Sequence, residues 1–178
     1  MQTSDWQAID QRHYLHPFTD YKGLAAVGSR IITRAEGVYL WDSEGNRILD
    51  GMDGMWCVNV GYGRKALAEV ARDQLCELPY YNSFFQTAHP PAIELSSLLA
   101  DITPAGLNRA FYTNSGSEAN DTVIRMVRRY WDLVGQPQKK VIISRTWAYH
   151  GSTMGAASLT GMPEMHAQGG LPLSLIHI

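Results

Sequence analysis

Residues 111–122, FYTNSGSEANDT, carry a short apolar run into a Ser-Gly-Ser turn and on into a helical pattern. Ser115 and Glu118 have the Ser-x-x-Glu spacing of a capping box: the serine hydroxyl accepts from the glutamate N–H, and the glutamate reaches back. The box accounts for Ser115 and Glu118 but not for Gly116 and Ser117. Glycine in a first helical turn weakens the helix, yet it lets a ligand approach the backbone closely. Ser117 adds a hydroxyl donor. A helix N-terminus at the end of a sheet strand is a natural seat for an anion, phosphate foremost. These residues alone fit a mere cap and a phosphate site equally well.

The flanking pattern sets the fold class. Arg109–Thr113 reads as a strand, and Ser117–Val134 as a helix with 119, 123, 126, 127, 130 and 134 on one apolar face. Gly135 and Pro137 stop it, and Lys140–Ser144 (KVIIS) reads as a buried strand. Strand, helix, strand predicts a βαβ unit with parallel strands and a right-handed crossover. A further helix is expected from near Ser152. Parallel sheets need several strands and cover on both faces. The expectation is therefore an α/β fold, with this chain the N-terminal part of a larger protein.

Upstream, a short helix is expected over Asp5–Arg12, followed by an irregular entry through His16-Pro17. Val38–Trp41 and Arg47–Leu49 read as a hairpin around Asp42-Ser43-Glu44-Gly45-Asn46, a turn of residues that tolerate positive φ. Met52–Val60 is apolar and punctuated by glycine. Arg64–Leu78 has a helical stripe at 67, 70, 71, 75 and 78 and ends at Pro79. Pro91–Ala100 reads as a helix with proline in its first turn.

Two further segments bear on chemistry. Arg145–Thr153, RTWAYHGST, follows strand 140–144 and is expected to leave the sheet at the same edge as the Ser-Gly-Ser turn. Taken alone, Tyr149 is more simply a loop tyrosine covering the core. Beside a phosphate turn, Tyr149-His150-Gly151 offers an aromatic face to a flat ring, with Gly151 giving clearance. Leu78–Gln86, LPYYNSFFQ, sets Tyr80, Tyr81, Phe84 and Phe85 in an irregular stretch. They are core plugs, or with Trp56 the walls of an apolar pocket or a subunit contact.

Other classes find little support. Gly61-Tyr62-Gly63-Arg64-Lys65-Ala66 matches a GxGxxA dinucleotide fingerprint, so a nucleotide-binding module using Gly61 and Gly63 is the competing reading. The helix after it runs into Pro79 and aromatics, not into a second strand ending in an acid. His13-x-x-His16 lacks an HExxH context, and no GxSxG elbow exists. The 178 residues are 45% hydrophobic and 18% charged with a net charge of −2, which favours neither nucleic acid nor anionic membrane as a partner. Cys57 and Cys76 form no CxxC, and the N-terminus lacks a signal-peptide core, so a cytoplasmic location is expected.

Taken together, TNSGSEANDT (113–122), VRRYW (127–131) and ISR-x-x-AYHGST (143–153) resemble the class III pyridoxal-phosphate-dependent aminotransferases of fold type I. The resemblance extends through HPFTDYKGL (16–24), GVYLWDSEGNRILDGM (37–52), WCVNVGYGR (56–64), ELPYYNSFFQTAHPPAIEL (77–95) and MPEMHAQGGLP (162–172). It is nearest to the omega-amino-acid or amine:pyruvate branch. It implies a small domain begun by residues 1–60 and the start of a large mixed- or parallel-sheet cofactor domain over 61–170. It implies pyridoxal 5'-phosphate as cofactor, with Ser115, Gly116 and Ser117 at its phosphate, Tyr149 stacked on its ring, and His150 and Gly151 shaping the loop. Trp56, Phe84, Phe85 and Tyr149 would line the substrate pocket, part of it built across a homodimer or a dimer of dimers. An amine or omega-amino acid would donate its amino group to a keto acid such as pyruvate.

The family's Schiff-base lysine is expected beyond residue 178. None of Lys22, Lys65, Lys139 and Lys140 stands in its motif. No catalytic residue is therefore assigned in this chain, and by itself it is expected not to turn over. A non-catalytic protein that keeps the fold, with 79–85 as a contact patch, is the alternative. Residues 171–178, LPLSLIHI, depart from the family pattern and read as a foreign or frame-shifted tail.

Overall fold

Thr3–His13 forms helix α1, opened by the Asp5 carboxylate, which accepts from the Gln2 N–H at 2.8 Å. The structure is a computed structural model and describes residues 1–167, 169–171 and 175–177. The entry through His16-Pro17 is irregular as expected, but it is pinned, because His16 Nε2 lies 2.9 Å from Asp10 Oδ1 on α1. A second helix, α2 (Tyr21–Val27), follows where the sequence reading leaves irregular chain. It is too short to show a periodic stripe. Its signal is the cap: the Asp20 carboxylate accepts from the Lys22 and Gly23 N–H groups.

Strands β1 (Ile32–Glu36), β2 (Tyr39–Asp42) and β3 (Arg47–Leu49) form an antiparallel three-stranded sheet in that order. The expected hairpin is there, with Tyr39 opposite Leu49 and Trp41 opposite Arg47. Its turn is organised by Asp42, whose carboxylate accepts from the Glu44 N–H at 3.0 Å, the Asn46 N–H at 2.9 Å and the Asn46 side-chain amide at 3.0 Å. Strand β1 was not legible as a strand. It is held from outside, by its ladder to β2 and by the Arg34 guanidinium 3.6 Å above the Trp41 ring. A single turn, α3 (Asp53–Trp56), bends through left-handed Gly54 and Met55. Helix α4 (Lys65–Glu77) matches the predicted stripe and completes the first compact unit, Met1–Ser83.

The second unit, Phe84–Ile178, contains α5 (Pro90–Ile102), α6 (Gly116–Leu133), β4 (Ile142–Ser144), α7 (Met154–Leu159), α8 (Pro163–His166) and β5 (Leu175–His177). Strands β4 and β5 pair in parallel, Ile142 with Leu175 and Ser144 with His177. The parallel sheet is thus as expected, but its partners are not. Residues 109–113 form no strand, because no described segment offers them a ladder. The crossover between the paired strands runs through α7 and α8, not through α6. The foreign-tail reading of 171–178 falls partly on 172–174 and 178, outside the described residues.

The buried hydrophobic side chains, among the described residues, are Ala156, Ala157 and Leu159 on α7, which packs on α6 and β4. Ser158 and Thr160 beside them are fully buried. The core of this unit therefore sits directly under the loop that carries Tyr149.

Candidate functional site: a helix N-terminus clasped to an aromatic loop

The N-terminus of α6 is built as the Ser-x-x-Glu spacing requires, with one shift. Ser115 is extended and its Oγ accepts from the Glu118 N–H at 3.2 Å. The Glu118 carboxylate does not return to Ser115; it accepts from the Asn114 N–H at 3.0 Å, one residue earlier. The Ser115 hydroxyl is thus occupied as a cap. Gly116 is the first residue of the helix, and a Cβ added there would meet nothing within 4 Å. Its open side faces space that a ligand can fill. The first N–H groups of an α-helix have no partner within the helix, and its dipole favours negative charge there.

Ser117 joins this turn to the aromatic loop. Its Oγ accepts from the Ser152 N–H at 3.0 Å, which leaves its own proton to donate elsewhere. Gly151, buried and at φ +132°, crosses immediately above: a Cβ there would lie 2.5 Å from Ser117 Oγ and 2.8 Å from Ser117 Cα. Only glycine fits this crossing. The His150 carbonyl accepts from the Asn120 side-chain amide at 2.6 Å, and Asp121 Oδ1 accepts from the Ala156 N–H at 2.9 Å. On the inner side, the His150 N–H donates to Thr160 Oγ1 at 2.9 Å. Trp147 N–H donates to the Gly161 carbonyl at 2.9 Å, and the Gly161 N–H to the Ala148 carbonyl at 2.8 Å.

Ser115, Gly116, Ser117, His150 and Gly151 are therefore brought together, with half-exposed Tyr149 at the head of the loop. The gathered groups suit a phosphate joined to a flat ring: a helix N-terminus with a free hydroxyl proton, an open glycine, and an aromatic one residue from the clasp. Phe84 and Phe85 open the same unit as an exposed aromatic pair with ring centroids 6.1 Å apart. Trp56 lies in the first unit, exposed and at φ +65°. Asn120, Asp121 and Thr160 were not singled out from the sequence. Their one signal is polarity at helix ends, Asn120 and Asp121 in the first turns of α6 and Thr160 as the C-cap of α7, where a side chain can serve a neighbouring loop.

Gly61 has a structural explanation. It stands at φ +80°, where a Cβ would lie 2.9 Å from the Gly37 carbonyl oxygen, beside the Gly37–Tyr62 bridge. No strand leads into it, so the strand–turn–helix context of a dinucleotide site is missing. No metal-binding cluster of histidine, cysteine or carboxylates occurs among the described residues. None of their helices is long and apolar enough to cross a membrane.

Comparison with known proteins places the chain in a family. The chain is 60% identical over 177 residues to the putrescine–pyruvate aminotransferase of Pseudomonas aeruginosa, covering 99% of this chain and 39% of that protein. It is 39% identical over 147 residues to the diaminobutyrate–2-oxoglutarate transaminase of Halomonas elongata, covering 83% of this chain and 31% of that protein. An (S)-enantioselective omega-transaminase from Thermomicrobium roseum superposes with a TM-score of 0.95 at 43% identity, covering 100% of this chain and 40% of that one. An omega-transaminase of Pseudomonas jessenii, solved with PMP, superposes with a TM-score of 0.94 at 39% identity, covering 97% of this chain and 38% of that one. The chain thus spans about two-fifths of the length of the first of these relatives, 39%. With the Aminotransferase class-III family model matching residues 24–176, the chain belongs to the class III aminotransferases.

Proposed function

We propose that this chain supplies the phosphate turn and ring-facing loop of a pyridoxal-phosphate-dependent transaminase. The enzyme would move an amino group from a diamine or omega-amino acid to a keto acid such as pyruvate. One observation carries the reading: the Ser152 N–H to Ser117 Oγ bond fastens the open N-terminus of α6 to the loop bearing Tyr149. When bound, the cofactor supplies an electron sink and a carrier for the amino group. The chain's own residues bind and orient it. Gly116 and Ser117 hold the phosphate through backbone N–H groups and the free hydroxyl proton, Ser115 keeps that helix end wound, and Tyr149 covers the ring. His150 and Gly151 set the loop's height above the turn.

Trp56, Phe84, Phe85 and Tyr149 are proposed as apolar walls of the substrate pocket, completed across a homodimer in the cytoplasm. Residues 1–60 are proposed as part of the small domain and 61–170 as the start of the cofactor domain. A diamine is the favoured donor because the 60%-identical relative is named for putrescine and pyruvate.

The test uses the natural protein carrying these residues. Putrescine and pyruvate should yield alanine in proportion to added pyridoxal 5'-phosphate. No alanine with any of several diamines or omega-amino acids would overturn the reading. Residues 1–178 alone should produce none.

A further inference from the structure

The backbone of His150 is gripped from both sides, at its N–H and at its carbonyl. Thr160, at the end of α7 and fully buried, accepts its N–H at 2.9 Å; Asn120, in the first turns of α6, donates to its carbonyl at 2.6 Å. The Thr160 hydroxyl is oriented in turn by two carbonyl acceptors, Ala156 at 3.2 Å and Gly151 at 3.3 Å. The next residue, Gly161, is closed against the start of the same loop, since a Cβ there would collide with the Arg145 carbonyl oxygen. Loop 145–151 is therefore seated on a rigid, buried floor, while its outer side, with Tyr149, is half-exposed. The Ser115–Ser117 turn has its own cap, the Glu118 N–H donating to Ser115 Oγ, in which neither Thr160 nor Asn120 takes part, and it meets the loop at the Ser117–Ser152 bond.

From this division of supports we propose that Thr160 and Asn120 are positioning residues that set the ring-facing loop without touching the phosphate. This inference rests on the cofactor reading above and goes beyond it. It separates the two halves of the site: the turn holds the phosphate, and the Thr160–Asn120 grip holds the aromatic over the ring. Loss of the grip leaves a part-buried N–H (Thr160) or carbonyl (Asn120) of His150 unpaired and frees the loop to tilt. The phosphate cradle keeps its own cap.

The experiment compares two probes on the natural protein carrying this chain: pyridoxamine 5'-phosphate, which has no carbonyl to attach covalently, and inorganic phosphate. Both affinities are measured by calorimetry for wild type, Thr160→Val, Thr160→Ser and Asn120→Ala. Thr160→Val should weaken pyridoxamine 5'-phosphate about tenfold, roughly 1.4 kcal/mol, and leave inorganic phosphate unchanged. Thr160→Ser, which keeps the hydroxyl, should restore the wild-type ratio. Asn120→Ala should shift the ratio in the same direction, and it carries the test if the valine variant does not fold. Equal weakening of both probes, or no change in the ratio, would overturn the positioning role while leaving the cofactor reading intact. A wild type that binds neither probe would overturn both.

Discussion

Two glycines in the site face opposite constraints. Gly151 stands at φ +132° with Ser117 and Ala156 within contact of any added Cβ. Gly151→Ala therefore adds backbone strain to overpacking, a loss of about 2–4 kcal/mol. Gly116 begins α6 in open space, and an added Cβ there meets nothing within 4 Å. Gly116→Ala should leave chemical denaturation within about 0.5 kcal/mol of wild type. It should still weaken phosphate binding, because its Cβ occupies the approach to the helix end. Denaturant unfolding paired with a phosphate titration separates the two effects. An unstable Gly116→Ala would mean that this glycine serves the fold and not a ligand.

At the level of elements, the cap on α6 and the turn of the hairpin are both single-residue devices. Ser115→Ala removes the hydroxyl that accepts from Glu118 and should destabilise the helix end by about 1 kcal/mol. Asp42 has a pH signature. The Asn46 side-chain amide first, then the Asn46 and Glu44 N–H groups, hold its carboxyl below the ordinary carboxylate range. A carboxyl lowered on folding contributes stability that is complete above its ordinary value near 3.8 and is lost as pH falls through the folded value. Asp10, lowered by its bond to His16, and Asp50, lowered by the Tyr62 hydroxyl, act with the same sign. The melting temperature of the natural protein carrying these residues should fall as pH drops below about 4, and Asp42→Asn should flatten that acid limb. An unchanged acid limb would show that the Asp42 turn does not limit the hairpin.

Across the whole molecule, large apolar side chains stand in water. Helix α6 leaves Val123, Met126, Val127, Tyr130 and Leu133 exposed, as is Val134 at its C-cap, and α5 does the same with Ile93, Leu95, Leu98 and Ile102. The stripe along α6 is the one the sequence marks as a core face. Faces of this width occur on proteins that bury them against further structure. Residues 1–178 expressed alone should bind a hydrophobic dye and sediment as aggregates. A monomer with one cooperative melt would contradict this.

The local elements were readable because their causes are local. The stripe along α6, the Ser115–Glu118 cap, the Asp42–Asn46 turn and the stripe of α4 depend on residues a few positions apart, and each stands where the periodicity and turn chemistry put it. The turn proposed as the phosphate seat is marked in the sequence by Gly116 and Ser117, which the Ser115–Glu118 cap does not need, though the same residues fit a plain cap equally well. What sequence could not supply was partnership over distance. Residues 109–113 have the composition of a strand but no ladder, and β4 takes its partner from 175–177. A strand is defined by its neighbour, and composition does not name the neighbour. Likewise Ser117 meets Ser152, and Asn120 meets His150, across separations of 35 and 30 residues. Their contact depends on α7 packing beneath the loop, and that burial, not any local pattern, joins the Ser115–Ser117 turn to the loop bearing Tyr149.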